Sequence, residues 1–465
     1  MRTRDVTRTS VRLGTVLLLT PVLCLLSPVF SPLSPVLGLP SPVALAAALG
    51  QRQVLPSGMV LLVSEKRAVS IVTATMLIQA GAILDPPDRA GLANLTAELL
   101  TQGTKTRTAT QISEAIEFVG GSLSVEAGQD VTTVTLSVLS RDLDLGLDLL
   151  ADILLNPTFA PDEIQRKVQE VLAGIKRKQE DPGEVSAEAF AALLFGTHPY
   201  GRPVEGIEAS VPTITRDDLM RFHEAYFRPN RTILAVVGDV SIPDLTRRLE
   251  AKLGAWQPGG PNFTPPPPPA VLARPVVRTI QRDVTQANIN LGHLGVTRDN
   301  PDYYAIQVMN YILGGGGITS RLTATIREEK GWAYDVGSAF IPDKYAGTFN
   351  VSLQTKNEVA QDAIEAVLAE IRRIREQPVG DDELKDAKAY LTGSYPLRLD
   401  TSSKIVRLLA SIEYFGLGLD YVDRSPGLIN AVTAADVQRV AQKYLNPDRY
   451  ALAVVADLTK AKIKP

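Results

Sequence analysis

The chain contains two copies of one folding unit, and this duplication constrains its fold more than any other feature. The segment 226–231 (YFRPNR) returns as 444–449 (YLNPDR), and the strand-like segment 235–239 (AVVGD) returns as 453–457 (AVVAD). The offset is 218 residues in both cases, 444 minus 226 and 457 minus 239. A constant offset across a turn and a strand indicates duplicated domains rather than chance similarity.

Each copy combines strand patterns with helix patterns. Thr215 and Asp218 have the form of an N-cap and a first-turn acid, and they return as Thr433 and Asp436. Alternation of apolar and polar residues predicts strands, and apolar residues at helical spacing predict helices. The predicted strands are 70–78, 130–139, 288–294, 333–340 and 348–353, and the predicted helices are 143–155, 162–177, 362–375 and 382–391. These elements predict an α+β fold in which each half is an antiparallel sheet covered by helices.

A connector rich in proline and glycine separates the two halves. Residues 258–275 include the sequence PGGP at 258–261 and five consecutive prolines at 265–269, which is typical of a stiff, extended linker. We therefore predict an N-terminal domain at 49–257 and a C-terminal domain at 276–465. Two halves joined by such a linker fit a clamshell that encloses something.

Residues 1–48 have the form of a secretory signal peptide. Arginines in the first twelve residues precede an uncharged run from Leu13, and 44–46 (ALA) has the form of a cleavage site. Six prolines between 21 and 42 interrupt any helix long enough to span a membrane, so a cleaved signal is favoured over an uncleaved anchor. The single cysteine, Cys24, lies in this segment. We expect an exported, periplasmic or extracellular chain without cysteine and without a stable membrane span.

Composition excludes one class of function. Hydrophobic residues make up 45% of the chain and charged residues 21%, which is ordinary for a globular protein. The formal net charge of −3 argues against a dedicated nucleic-acid binder, because such proteins usually carry a basic stripe.

One helix-like segment in the first half has the frame of a metal site without its ligands. Residues 91–104 (GLANLTAELLTQGT) resemble the signature helix of the insulinase-like (M16) zinc metallopeptidases, G-x-A-H-x-x-E-H followed by G-T. In that frame Asn94 and Glu98 stand where the two histidine ligands belong, and Ala97 replaces the general base. Zinc sites are built largely from imidazoles and thiolates, so Asn94, Ala97 and Glu98 are degenerate metal-site positions.

The other zinc ligands of the family are also missing. The resemblance places the third ligand, a glutamate, within 171–174 (VLAG), where no side chain binds zinc; the neighbouring Glu170 is interpreted as a surface residue. The three histidines, His198, His223 and His293, form neither H-x-x-E-H nor H-E-x-x-H. We expect no metal bound by this chain.

The second half carries a positive signal. The sequences SRL at 320–322 and IREEKGWAY at 326–334 resemble the C-terminal signature of the family, S-R-L, L-R-E and G-x-A-Y. The resemblance implies that Arg327 and Tyr334 reach the zinc site of the other half or of another subunit. A guanidinium and a phenol are suited to holding a peptide carbonyl and stabilising an oxyanion. The plain alternative is that Arg327 pairs with a neighbouring glutamate on its helix.

Four consecutive glycines precede this signature. Gly314, Gly315, Gly316 and Gly317 would let a backbone approach a ligand closely. A phosphate loop would need a following Lys-Ser or Lys-Thr, which is absent. The non-catalytic subunits of mitochondrial processing peptidase have a glycine-rich loop associated with substrate handling, and resemblance to it predicts substrate binding here. A flexible helix terminus is the equally supported alternative.

Together these features resemble a non-catalytic subunit of the insulinase-like family, with the duplicated LuxS/MPP-like metallohydrolase fold. The resemblance implies a heterodimer in which a partner with the H-x-x-E-H motif holds zinc, and this chain binds an unfolded peptide substrate. Arg327 and Tyr334 would then act in trans on the scissile carbonyl, and this chain would be active only within the complex. The alternative is a catalytically inactive peptide-binding or scaffold protein of the same fold.

Overall fold

The computed structural model describes residues 49–464. The predicted signal peptide and Cys24 lie outside these residues. All nine predicted strands and helices are present, with ends within three residues of the prediction. None of the helices within 49–464 combines the length and the apolar character needed to cross a membrane.

The first half consists of β1 (Gln51–Val54), β2 (Val60–Glu65), β3 (Ile71–Ile78), α1 (Leu92–Leu99), α2 (Ala109–Phe118), β4 (Ser122–Ala127), β5 (Thr132–Leu139), α3 (Leu143–Leu155), α4 (Pro161–Glu180), α5 (Pro182–Phe195), α6 (Arg216–Tyr226), β6 (Thr232–Gly238) and α7 (Ile242–Leu253).

The second half consists of β7 (Val276–Gln281), β8 (Gln286–Leu294), α8 (Tyr303–Asn310), β9 (Ala333–Ile341), β10 (Thr348–Lys356), α9 (Ala360–Glu376), α10 (Asp381–Gly393), α11 (Ser402–Tyr414), α12 (Tyr421–Asn430), α13 (Ala434–Tyr444), β11 (Ala451–Ala456) and α14 (Leu458–Ala461). Two π-helical segments, Tyr311–Gly315 and Thr323–Glu329, lie between α8 and β9.

The two sheets share one five-stranded topology, to which the first sheet adds the edge strand β1. The first has the order β1-β2-β6-β3-β5-β4, and the second has the order β7-β11-β8-β10-β9. The pairs β2–β6 and β7–β11 are parallel, and the other neighbours are antiparallel. The α+β class is therefore confirmed, and each sheet is mixed rather than wholly antiparallel. The parallel pair arises because the last strand of each half returns beside an early strand, β2 in the first half and β7 in the second.

The repeat also extends to the capping of helices. Thr215 accepts a hydrogen bond from the N–H of Asp218 (3.2 Å), and Thr433 accepts one from the N–H of Asp436 (3.1 Å). Both aspartates bond back to the N–H of their threonine, which completes a capping box at the start of α6 and of α13. The 218-residue offset read from the sequence thus persists at the level of single hydrogen bonds.

The halves exchange one helix each, which the sequence did not reveal. Helix α5 of the first half packs on β8 and β11 of the second sheet, and α11 of the second half packs on β3 and β6 of the first sheet. Ile405, Val406 and Leu409 of α11 form one buried cluster with Leu62 and Ala235. The halves are therefore joined by two buried helices as well as by the predicted linker.

Candidate functional site

Helix α1, which carries the degenerate metal-site positions, is held firmly at its N-terminus. The carboxylate of Asp85 accepts hydrogen bonds from the N–H groups of Gly91 and Ala93, both at 2.8 Å. Burial raises the pKa of Asp85 to about 7, although these two hydrogen bonds favour its charged form. Gly91 has a positive φ of 98°, and a Cβ there would lie 2.7 Å from the carbonyl oxygen of Glu205, so this position requires glycine.

The three degenerate positions do lie close together on α1. The Nδ2 of Asn94 donates to Oε1 of Glu98 at 3.0 Å, and Ala97 is completely buried. The second carboxylate oxygen of Glu98 lies 3.3 Å from Nζ of Lys167 on α4, and the same ammonium lies 2.7 Å from Glu170. The Lys167 side chain is only 13% exposed. Its ammonium also holds the pKa of Glu170 below its usual range.

These residues do not fit a zinc ion. One oxygen of the Glu98 carboxylate accepts a hydrogen bond from the amide of Asn94, and the other lies beside the ammonium of Lys167. A zinc ion and an ammonium cannot both occupy the position next to that carboxylate. One turn further along α4, Val171 packs with Ile175 and Val211 and supplies no donor atom. Within residues 49–464, no three histidine, cysteine, aspartate or glutamate side chains are grouped so that they could hold a metal.

Lys167 is the residue that sequence reasoning missed at this site. It lies one helical turn before Val171, so it shares the face of α4 on which the third ligand was sought. Its spacing of four residues before Val171 is the sequence signal that places Lys167 on this face. Glu170 lies at the surface as predicted, with its side chain 49% exposed.

The histidines serve the packing of their own surroundings. Nε2 of His223 lies 2.9 Å from the carbonyl oxygen of Leu154. His293 lies 2.9 Å from the carbonyl oxygen of Leu294 through Nδ1, and its Nε2 accepts from the N–H of Asn446. His198 accepts from the N–H of Tyr200. Burial lowers the pKa of all three, so they are neutral at pH 7.

Arg327 and Tyr334 are brought together in the second half. The guanidinium carbon of Arg327 lies 5.2 Å from the centre of the Tyr334 ring, and Tyr334 is 77% exposed. Within residues 49–464, the Arg327 side chain has no ion pair or hydrogen bond, so the alternative of a pair with Glu328 or Glu329 is not found. A cation over an aromatic face is worth about 0.5–1 kcal/mol at an exposed site. The guanidinium and phenol donors both remain available.

Two local irregularities create this arrangement. Between β9 and β10, Asp335 pairs with Gln354 and Ala333 pairs with Thr355, so Tyr334 is the extra residue of a β-bulge. A bulge leaves its residue unpaired and re-aims the side chain. Arg327 lies on the π-helical segment Thr323–Glu329, which is followed after three residues by β9, an edge strand of its sheet.

The glycine segment lies beside the same strand. A Cβ on Gly314 would lie 2.5 Å from Oγ and 2.6 Å from N of Ser338, so glycine lets the π-helical turn touch β9. A Cβ on Gly315 or Gly316 would also come too close to its own turn, at 2.7 Å and 2.8 Å. Gly317 is different, because its φ is 60° and a Cβ would meet nothing within 4 Å.

The predicted site residues therefore form two groups. The glycine segment, Arg327 and Tyr334 all border β9. The group on α1 packs against β4, α4 and α6 within the first half. A further signature residue, Arg321, is structural, because its guanidinium donates to both carboxylate oxygens of Glu383, at 2.8 and 2.7 Å.

Family models match both halves of this chain. The model described as insulinase (peptidase family M16) matches residues 60–208, and the model described as peptidase M16 inactive domain matches residues 213–391. An uncharacterized zinc protease of Mycobacterium leprae is 30% identical over 89% of this chain and 93% of its own length. A similarly named protein of Mycobacterium bovis is 31% identical over 89% of this chain and 95% of its own length. The chain belongs to peptidase family M16.

Solved structures have the same fold. The structure named peptidase M16 inactive domain from Pseudomonas fluorescens superposes with a TM-score of 0.83 and 28% identity, covering 90% of this chain and 100% of that one. A protease from Helicobacter pylori superposes with a TM-score of 0.82 over 88% of this chain and 99% of that one. Its 18% identity makes it a likeness of fold alone.

Proposed function

We propose that this chain is an exported, non-catalytic subunit of a heterodimeric M16 zinc endopeptidase. A partner chain with the H-x-x-E-H motif would supply the metal and the general base. This chain would bind the unfolded peptide substrate and contribute Arg327 and Tyr334 to the scissile carbonyl. Export is part of the proposal and rests on the signal-peptide form of residues 1–48.

The observation that carries the proposal is the exposed pair of Arg327 and Tyr334. Its donors have no acceptor within residues 49–464, and a β-bulge and a π-helical segment hold it at a sheet edge. Irregular backbone of these two kinds is frequent next to functional sites. Donors held in place and directed outward are what stabilisation of an oxyanion in another subunit requires.

The side chains on α1 support a division of labour between two chains. Asn94, Ala97 and Glu98 cannot provide the zinc ligands or the base, and Lys167 neutralises Glu98. The alternative hypothesis, a peptide-binding or scaffold protein of the same fold, is equally consistent with these positions. It has no use for the exposed Arg–Tyr pair, so we favour the heterodimer.

The proposal is tested by affinity capture of the full chain from the cells that make it. We expect stoichiometric recovery of a chain with the H-x-x-E-H motif, zinc in the complex, and peptide cleavage that neither separated chain performs. The intact mass of the recovered chain should lack residues 1–48 or nearly so. Recovery of the chain alone, or with structural proteins and without peptidase activity, would instead support the scaffold hypothesis.

A further inference from the structure

The contact between α1 and α4 is built around a cation that belongs to the protein. Lys167 projects from α4 to Glu98 on α1 and to Glu170 on its own helix, at 3.3 Å and 2.7 Å. Asn94 orients the Glu98 carboxylate by donating to its other oxygen. We propose that the ammonium of Lys167 replaces a metal ion as the cation that ties α1 to α4.

The burial of the three groups supports this assignment. The side chain of Lys167 is 13% exposed, compared with 33% for Glu98 and 49% for Glu170. Lys167 therefore has the most buried side chain of the three. Ion pairs that are fully exposed contribute little, whereas a partly buried charge depends on its partners.

The ammonium of Lys167 is one of two cations among three carboxylates. Arg166, the neighbouring cation on α4, bonds to Glu163, Glu170 and the side-chain oxygen of Gln102. Glu170 is thus shared between Arg166 and Lys167, and Glu98 depends on Lys167 as its cation. Without Lys167, Glu98 would be left part-buried beside Glu170 with no opposite charge.

This arrangement explains how α1 keeps its place without a metal. The N-terminus of α1 is fixed by Asp85, and its C-terminal turn is fixed through Glu98 to α4. Helix α1 packs against β4, an edge strand of the first sheet. By fixing α1, Lys167 therefore also stabilises the packing of α1 on β4.

The test is the melting temperature of purified Lys167→Met, with Lys178→Met as a matched control on the same helix. Lys178 also pairs with a glutamate, Glu205, but its side chain is 45% exposed. We expect Lys167→Met to lower Tm by about 2–4 °C in EDTA, and Lys178→Met by less than about 1 °C. Lys167→Arg, which keeps the charge, should retain most of the wild-type Tm.

A second arm distinguishes a cationic role from packing. In Lys167→Met the two carboxylates would face each other, and oxygen ligands favour hard divalent cations. Excess MnCl2 should therefore restore at least half of the lost Tm in Lys167→Met, while leaving the wild type unchanged. The double variant Lys167→Met with Glu98→Gln should be more stable than Lys167→Met in EDTA and should not respond to MnCl2.

Three outcomes would overturn the proposal. They are an unchanged Tm for Lys167→Met, an equal loss for Lys167→Arg, and a gain in the wild-type Tm on addition of MnCl2 or ZnCl2. If Lys167→Met does not fold, recovery of folded protein by adding Glu98→Gln supports the proposal and failure to recover it contradicts it. None of these results depends on a partner chain, so they are independent of the proposed function.

Discussion

Neighbouring glycines of one run can be required for different structural reasons. Gly314 and Gly317 belong to one run of four glycines, for which substrate binding and a flexible terminus were equally supported. The structure gives Gly314 a packing reason, because any Cβ would collide with Ser338. Gly317 is glycine because of its positive φ, and it faces open space. Only the outer part of the segment is thus free to meet a substrate.

We therefore expect Gly314→Ala to destabilise the protein. The added methyl group would lie 2.5 Å from Oγ of Ser338 and 2.7 Å from Leu322, and overpacking of this kind typically costs about 1–3 kcal/mol. The control is Gly393→Ala, at the end of α10, where a Cβ meets nothing within 4 Å. Urea unfolding measures both, and a Gly314→Ala variant as stable as Gly393→Ala would refute the packing role.

At the scale of elements, the sequence predicted which segments form helices and strands but not which sheet each helix covers. Periodicity located α3 and α4 to within three residues, because their apolar stripes are local features. The apolar faces of α5 and α11 indicate only that both helices are buried. They do not indicate that each helix packs on the sheet of the other half. The β-bulge at Tyr334 also could not be predicted from the sequence, because it depends on the register in which β9 pairs with β10.

The exchange of helices predicts that the two halves unfold together. Leu409 of α11 is completely buried against the first sheet, so Leu409→Ala should cost about 2–5 kcal/mol. It should also lower the stability of β6, which belongs to the other half. Hydrogen exchange of Ala235 and Val236 reports this effect, and Leu397→Ala, at a site 64% exposed, is the control. Unchanged protection of β6 would show that the halves are independent.

At the scale of the whole molecule, the two halves meet at a cluster of acidic and phenolic groups. Asp130, in the turn between β4 and β5, accepts hydrogen bonds from Tyr200 (2.7 Å) and from Tyr414 of α11 (2.8 Å). Asp343, in the equivalent turn between β9 and β10, lies near enough to Asp130 for the two charges to interact. Burial, followed by the charge of Asp130, raises the pKa of Asp343 to about 6.

This cluster predicts a dependence of stability on pH. A carboxyl with a raised pKa in the folded state stabilises the fold fully below its unfolded pKa of about 4, and this contribution is lost as pH rises through 6. The other titratable and charged groups around the cluster are Lys344, Tyr345, His198, Arg202 and Arg231.

Between about pH 4 and 7, the wild type should therefore lose on the order of 2 kcal/mol relative to Asp343→Asn. Urea unfolding at a series of pH values measures the difference. Parallel pH profiles for the two proteins would contradict the assignment.

The most direct test of the proposed function is the turnover number of the reconstituted complex with Arg327→Ala in place of the wild-type chain. Arg398→Ala is the matched control, because Arg398 also lies over a tyrosine, Tyr395, at 5.7 Å in the same half. We predict that kcat for peptide cleavage falls about 10²–10³-fold in Arg327→Ala, since one donor to the oxyanion is lost, and stays within about twofold in Arg398→Ala. A wild-type kcat for Arg327→Ala would contradict the account.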